Sequence, residues 1–273
     1  MEIAAMNTPG NRQSPGPETA TQAQRLPTVK QIVAVGAGKG GVGKSTVAVN
    51  LATSLAGLGA KVGLLDGDIY GPSIPTLLGL KNDTPEIDEE RRKIIPLKAH
   101  GISCVSMGFL LKDTDAVVWR GPMLGKALQQ FVDDVDWGNL DYLIVDLPPG
   151  TGDVQLSLAQ LLSVHGAILV TTPQDLSHDD VARALRMFEL LNIPILGLVE
   201  NMSYFLCPDN NKTYHIFGAG RTQEFADKLN LELLEALPID MGVAPAGDKG
   251  IPITVVEPKG DQGSRYRKLA QGV

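Results

Sequence analysis

One stretch limits the fold more than any other: Gly38-Lys39-Gly40-Gly41-Val42-Gly43-Lys44-Ser45, followed by Thr46. Residues 31–35 just before it are apolar and β-branched, and they read as a buried strand. Residues 46–58 just after it place Val47, Val49, Leu51, Ala52, Leu55 and Ala56 at helical spacing. A glycine loop between a strand and a helix turns backbone N–H groups toward an anion, and the helix N-terminus adds partial positive charge. In that setting Lys44 reaches the outer phosphates of a polyphosphate, and the Ser45 hydroxyl is a ligand for Mg²⁺. A glycine-rich stretch can also be a flexible linker, but both flanks argue against it here. The stretch predicts a bound nucleotide held by Gly38 through Thr46.

Two further segments place carboxylates where such a ligand needs them. A strand at 61–65 runs into Asp66-Gly67-Asp68-Ile69-Tyr70-Gly71-Pro72-Ser73. Asp68 is the candidate to orient the water that attacks the terminal phosphate, with Asp66 near the metal; a polar turn braced by its own side chains is the alternative. A second apolar strand, 142–146, ends in Asp146, in the arrangement in which a carboxylate holds Mg²⁺ directly or through water. The loop after it, Leu147-Pro148-Pro149-Gly150-Thr151-Gly152-Asp153, sits where a sensor of the terminal phosphate belongs, and its glycines allow the backbone to rearrange.

The alternation continues to the end of the chain. Strands are expected at 101–107, 167–171, 195–200 and 232–237, and helices at 177–191, 222–229 and from 119–123 through about 135. Arg120 in that last segment is a candidate phosphate or partner contact, or a structural ion pair. Residues 81–100 are charged and broken by prolines, and read as a surface hairpin or excursion. Together these predict an α/β three-layer fold, a mostly parallel sheet of about seven strands with helices on both faces. Cys104 sits in an apolar strand and reads as a core residue. Residues 1–30 read as a disordered tail, 31–260 as the folded domain, and 261–273 as a flexible tail with too few bulky apolar residues for a membrane-surface helix.

Lys and Arg number 24 against 31 Asp and Glu, a net charge of −7, so no overall basic footprint points to nucleic acid or an anionic membrane. Two distant cysteines suit a reducing compartment. The absence of a leader pattern and of a bilayer-length apolar segment sets the expectation of a cytoplasmic protein.

With its lysine at position 39, the glycine loop resembles the deviant Walker A loop of the MinD/ParA-like class of P-loop ATPases. Within that class, the segments at 66–73 and 146–153, Trp119-Arg120-Gly121-Pro122-Met123 and Glu200-Asn201-Met202-Ser203 closely resemble Mrp/ApbC-type iron–sulfur cluster carriers. The resemblance spans residues 31–258. It implies an ATP-dependent homodimer that carries an iron–sulfur cluster to apoproteins, with cluster-assembly factors as partners. It also implies that Lys39 reaches the partner's nucleotide across the dimer and that Asp68 positions the water. Ser45 and Asp146 would serve Mg²⁺, and Asn201 would meet adenine or else stabilise a turn. Pro238-Ile239-Asp240 would lie near the base.

The chain departs from the pattern of the carriers it resembles just after the 200–203 segment. Carriers of this type usually show Cys-x-x-Cys after the 200–203 segment, and two such pairs hold a bridging 4Fe–4S cluster through thiolates. Here the run is Cys207-Pro208-Asp209-Asn210, with an amide where the second thiolate belongs. A neutral amide is a poor iron ligand. Cys207 is then either half of a cluster site, completed by Asp209, His215 or an outside thiol, or an unligated loop thiol. Three functions follow as expectations: a carrier, a cluster-free ATPase switch acting as adaptor, and a positioning ATPase on DNA or membrane. The acidic balance counts against the third.

Overall fold

The computed structural model describes residues 26–69, 71–110, 129, 132–150, 152–218 and 220–273. Its centre is β1 (Val29–Gly36). Ile32 and Ala34 enter the core on one side of the sheet, and Val33 and Val35 enter the core on the other. An apolar set on both faces of a strand is what burial between two helical layers demands. The strands that follow are β2 (Val62–Asp66), β3 (Glu86–Asp88), β4 (Lys93–Ile95), β5 (Leu97–Ala99), β6 (Ile102–Ser106) and β7 (Leu140–Asp146). The second half adds β8 (Gly166–Thr171), β9 (Ile195–Glu200), β10 (Phe205–Leu206), β11 (Thr213–Tyr214) and β12 (Leu233–Ala236).

The main sheet has eight strands in the order β12-β9-β8-β1-β7-β2-β6-β5. All seven strands expected from sequence are there and run parallel, and β5 pairs antiparallel with β6 at one edge. The excursion at 81–100 holds the β3–β4 hairpin and β5. Winding proceeds from β1 toward β2 and β6, then returns through β7 and places β8, β9 and β12 on the opposite side. Where that direction changes, the crossovers separate and leave a crevice above the C-terminal ends of the strands. The glycine loop at 38–45 leaves β1 at that point.

The helices are α1 (Lys44–Gly57), α2 (Ile74–Leu77), α3 (Met107–Leu110), α4 (Asp153–Leu161), α5 (Asp175–Leu190), α6 (Thr222–Lys228), α7 (Val243–Asp248), α8 (Ile253–Val256) and α9 (Asp261–Gly272). Helix α1 is buried almost all round, from Lys44 and Val47 to Leu55. Its outer side is covered by the C-terminal part of the chain. Thr254 in α8 donates from both its backbone N–H (3.2 Å) and its hydroxyl (3.0 Å) to Asn50 Oδ1, and its hydroxyl lies 2.7 Å from that of Thr53.

Two expectations about the chain ends need correction. Leu26 and Val29 are core residues, so the folded domain starts a few residues before Gln31. Residues 261–273 are not a flexible tail: α9 packs Tyr266, Leu269 and Ala270 against α1 and its neighbours, each at 5% exposure or less. Those three positions form an i, i+3, i+4 stripe, enough to dock a helix whose other faces are polar. Residues 1–25, Arg120 and most of the helix expected up to Val135 lie outside the described residues. Leu269→Ala is expected to cost about 2–5 kcal/mol of stability in urea unfolding. An unchanged midpoint would mean that α9 contributes nothing to the core.

Candidate functional site

The loop from Gly38 to Ser45 wraps the end of β1 and runs into α1, whose first residue is Lys44. Two of its glycines are required by their surroundings. A Cβ on Gly38 would lie 2.2 Å from the backbone of Asp180, which packs α5 against the loop. Gly43 has φ +83°, and a Cβ there would lie 2.2 Å from Asn201 Nδ2. The loop lines a cavity of about 280 Å³ together with Thr46, Asp68, Ser73, Leu77 and Pro149. Lys39, Lys44, Ser45, Thr46 and Asp68, singled out separately along the sequence, therefore meet in one place. Lys39 Nζ lies 3.4 Å from Gln174 Oε1, a residue that sequence reading did not single out.

Behind the cavity, parallel register aligns three strand ends: Asp146 of β7 opposite Asp66 of β2, and Asp66 opposite Ser106 of β6. Asp146 is fully buried and its Oδ1 accepts from Lys44 Nζ. Its Oδ2 is buried without a hydrogen-bond partner. Burial pushes the Asp146 carboxyl up, opposed by Lys44 and by a hydrogen bond from Ser45. Asp66 has both oxygens engaged: Oδ1 accepts from the Asp68 N–H at 3.1 Å, and Oδ2 from the Ser106 hydroxyl at 2.8 Å. Asp66 thus braces the strand that presents Asp68. Asp68 itself accepts from the Gly71 N–H at 3.1 Å, the turn hydrogen bond expected of such a segment. Ser106 was missed in the sequence, where its one signal is a polar residue at the C-terminal end of an apolar strand.

A second, larger cavity of about 600 Å³ adjoins the first, sharing Gly43, Thr46 and Leu77. Its lining is mostly apolar and brings together Asn201, Met202, Pro238, Ile239 and Asp240. The Asn201 backbone N–H donates to Thr171 O at 2.8 Å, and its side-chain Nδ2 donates to Val42 O at 2.8 Å. The amide both faces the cavity and ties the end of β9 to the glycine loop. Lining residues without a sequence-level signal include Ile216, Phe217, Gln262 and Tyr266. The last two come from α9, the helix read as a tail.

Cys207 is half-buried in the turn joining β10 to β11, far in sequence from Cys104, which is fully buried in β6. The Cys207 N–H donates to Lys212 O at 3.0 Å, and its carbonyl accepts from the Asn211 N–H at 2.9 Å. Asn210 serves the same turn: its Oδ1 accepts from the Lys212 N–H at 2.9 Å and its Nδ2 donates to the Tyr214 hydroxyl at 3.2 Å. Among the described residues no group of three or more His, Cys, Asp or Glu side chains is placed to hold a metal ion. Asp209 and His215 are therefore not gathered with Cys207 into a site within one chain.

A glycine loop, a buried lysine, a hydroxyl and a strand-end carboxylate beside an apolar cavity define a nucleotide-binding protein of the P-loop class. The chain belongs to the ParA family, in the group described as NUBPL iron-transfer P-loop NTPase, whose model matches residues 28–273. It is 51% identical over 249 residues to the iron–sulfur cluster carrier protein of Aquifex aeolicus, a match covering 91% of this chain and 68% of that one. It is 46% identical over 245 residues to the iron–sulfur cluster transfer protein NUBPL of Dictyostelium discoideum, covering 90% of this chain and 76% of that one. A nucleotide-binding protein from Archaeoglobus fulgidus, solved in complex with ADP, superimposes with a TM-score of 0.76 at 39% identity, covering 87% of this chain and 92% of that one. No helix among the described residues is long and apolar enough to cross a membrane.

Burial, and then the Asp146 charge, push the Asp66 carboxyl up to about 7, against the pull of Ser106, the Asp68 N–H and Lys44. Between an unfolded value near 3.8 and that folded value the native state holds the extra proton, so stability falls as pH rises through the window. Urea midpoints of the metal-free, nucleotide-free protein should decline from about pH 4 to about pH 7, and Asp66→Asn should flatten the decline. An equal slope in Asp66→Asn would show that Asp66 keeps an ordinary carboxyl.

Proposed function

We propose that this protein is an ATP-hydrolysing iron–sulfur cluster carrier that works as a nucleotide-closed homodimer in the cytoplasm and hands its cluster to apoproteins. One observation carries the nucleotide half of the reading: the cavity built by the glycine loop shares Gly43, Thr46 and Leu77 with a larger, mostly apolar cavity, which Asn201 lines while its amide is bonded to the loop. The carrier half rests on the relatives, which are named for cluster carriage or transfer and match nearly the whole folded domain.

The donor set fits Mg²⁺. Asp146 offers a buried oxygen with no other partner, and Ser45 offers a hydroxyl beside it. These two residues would hold the ion, which when bound neutralises phosphate charge. Lys44 and the loop N–H groups bind the phosphates, while Asp68, at the cavity wall, orients the attacking water. Lys39 extends from the loop beside Gln174 and serves the nucleotide of a partner subunit, adding charge where it develops in hydrolysis. Movement of the loop after Asp146 on phosphate loss links hydrolysis to opening of the dimer.

Cys207 is the one thiolate each chain offers for the cargo, so two copies supply half of the ligands of a four-iron cluster and outside thiols supply the rest. A second reading, a cluster-free ATPase adaptor, draws support from Asn210, whose amide is already committed to the turn at 2.9 and 3.2 Å.

Lys39→Ala and Asp68→Ala should each lower ATP turnover by about a hundredfold or more, while Lys44→Ala should chiefly weaken nucleotide binding. Wild-type turnover in either of the first two removes the catalytic assignment. Anaerobic reconstitution with iron and sulfide separates the two readings. The carrier reading expects a stoichiometric cluster that is lost in Cys207→Ala; intact ATPase activity with no cluster in the wild type supports the adaptor.

A further inference from the structure

The excursion from Ser203 to Thr222 carries Cys207 at one end of a short ribbon and part of the large cavity at the other. Its β10 and β11 pair through only two residue pairs, Phe205 with Tyr214 and Leu206 with Thr213. Cys207 follows β10 directly. Ile216 and Phe217 follow β11 within three residues, in a turn closed by the Gly218 N–H donating to His215 O at 3.2 Å. Both side chains line the large cavity, and both are exposed, Ile216 at 58% and Phe217 at 37%. Phe217 also borders the small space beside Lys39 and Gln174.

The base of this excursion is held from several sides. The hydroxyls of Ser203 at its start and Thr222 at its end both donate to the one buried carboxylate of Glu200. Next to Glu200 stands Asn201, whose amide is tied to the glycine loop. Tyr204 accepts a 2.7 Å hydrogen bond from Arg265 of α9 through its hydroxyl, and its carbonyl accepts from the Ile239 N–H at 2.7 Å. The root is therefore fixed to the nucleotide pocket, whereas among the described residues the ribbon beyond it is paired through two short strands and places none of its side chains in the two core clusters, the profile of a segment that opens locally.

The geometry points to Ile216 and Phe217 as the outer wall that closes over the nucleotide base, and to the ribbon they share with Cys207 as a lid that moves with them. The inference rests on the nucleotide reading of the pocket. An apolar wall and Asn201 lining the same cavity suit a planar base, which would bury one face on Phe217 and meet polar groups at its edge. Occupation of the cavity by the base then draws the wall inward and changes the surroundings of Cys207, while phosphates alone leave the lid open. The site for the nucleotide thus governs how the thiol is presented, without any direct contact between them.

The test uses ADP and inorganic tripolyphosphate, each with Mg²⁺, on the full chain. Phe217→Ala should weaken ADP binding on the order of tenfold, as expected for loss of an aromatic–base stack, and leave tripolyphosphate binding unchanged. Ile216→Ala, at a more exposed position, should show a smaller loss with the same selectivity. In the wild type, saturating ADP should slow iodoacetamide alkylation of Cys207 by roughly threefold or more, because closure removes the open states from which a loop thiol reacts. Tripolyphosphate should not slow it, nor should ADP in Phe217→Ala. Cys104 is fully buried and does not obscure the signal. Wild-type ADP affinity in Phe217→Ala would overturn the wall, and ADP binding without any change at Cys207 would overturn the lid. If neither ligand bound the wild type, the nucleotide reading itself would fall, and the wall with it.

Discussion

The structure turns on one buried charge pair, Lys44 against Asp146, at 7% and 0% side-chain exposure. Neither ion is stable alone in that position, since desolvation of a lone charge outweighs most other local terms. Their meeting requires β1 and β7 to be adjacent, the loop between β1 and α1 to turn back over the sheet, and α1 to begin at Lys44. Parallel pairing of β1 with β7 supplies the first condition, with Val35 opposite Asp146. The glycines of the loop supply the second, and the burial of α1 under the C-terminal helices the third. Asp66 is buried beside Asp146, and its pKa is raised first by burial and then by that neighbouring charge. The pair satisfies only one oxygen of Asp146, which leaves the other open for a cation.

What was legible in the sequence was what has a local period or a local motif. The seven parallel strands announced themselves as apolar runs, and the residues of the phosphate cavity lay in short signatures that needed only strand ends to bring them together. The parts that stayed hidden depend on distant partners. Helix α9 carries only Tyr266, Leu269 and Ala270 as buried apolar residues along its stripe, too sparse a pattern to distinguish from a tail until α1 is there to receive it. Strand β5 is three residues long and exists because β6 offers an edge. Ile216 and Phe217 lie in a loop with no period. The link from Glu200 to Thr222 spans 22 positions, beyond the reach of any helical or strand repeat.

Asn210 stands where the resemblance to cluster carriers would place a second thiolate. Its amide makes two hydrogen bonds inside the hairpin, one to the Lys212 backbone and one to the Tyr214 hydroxyl. The turn that presents Cys207 is therefore ordered by the chain itself and does not depend on a metal for its shape. The family match holds across this position, and the glycine-loop cavity is lined by other residues. In the proposed carrier dimer, Asn210 would alter the number of thiolates available to the cargo.

The most direct test of the central claim is calorimetric titration of ADP with and without Mg²⁺ into the wild type and Asp146→Asn. The account predicts that Mg²⁺ tightens ADP binding in the wild type and has little effect in the variant, because the free oxygen of Asp146 is the protein's principal anchor for the ion. Equal tightening in both proteins would contradict that assignment, and would mean that the buried pair organises the fold without serving the nucleotide.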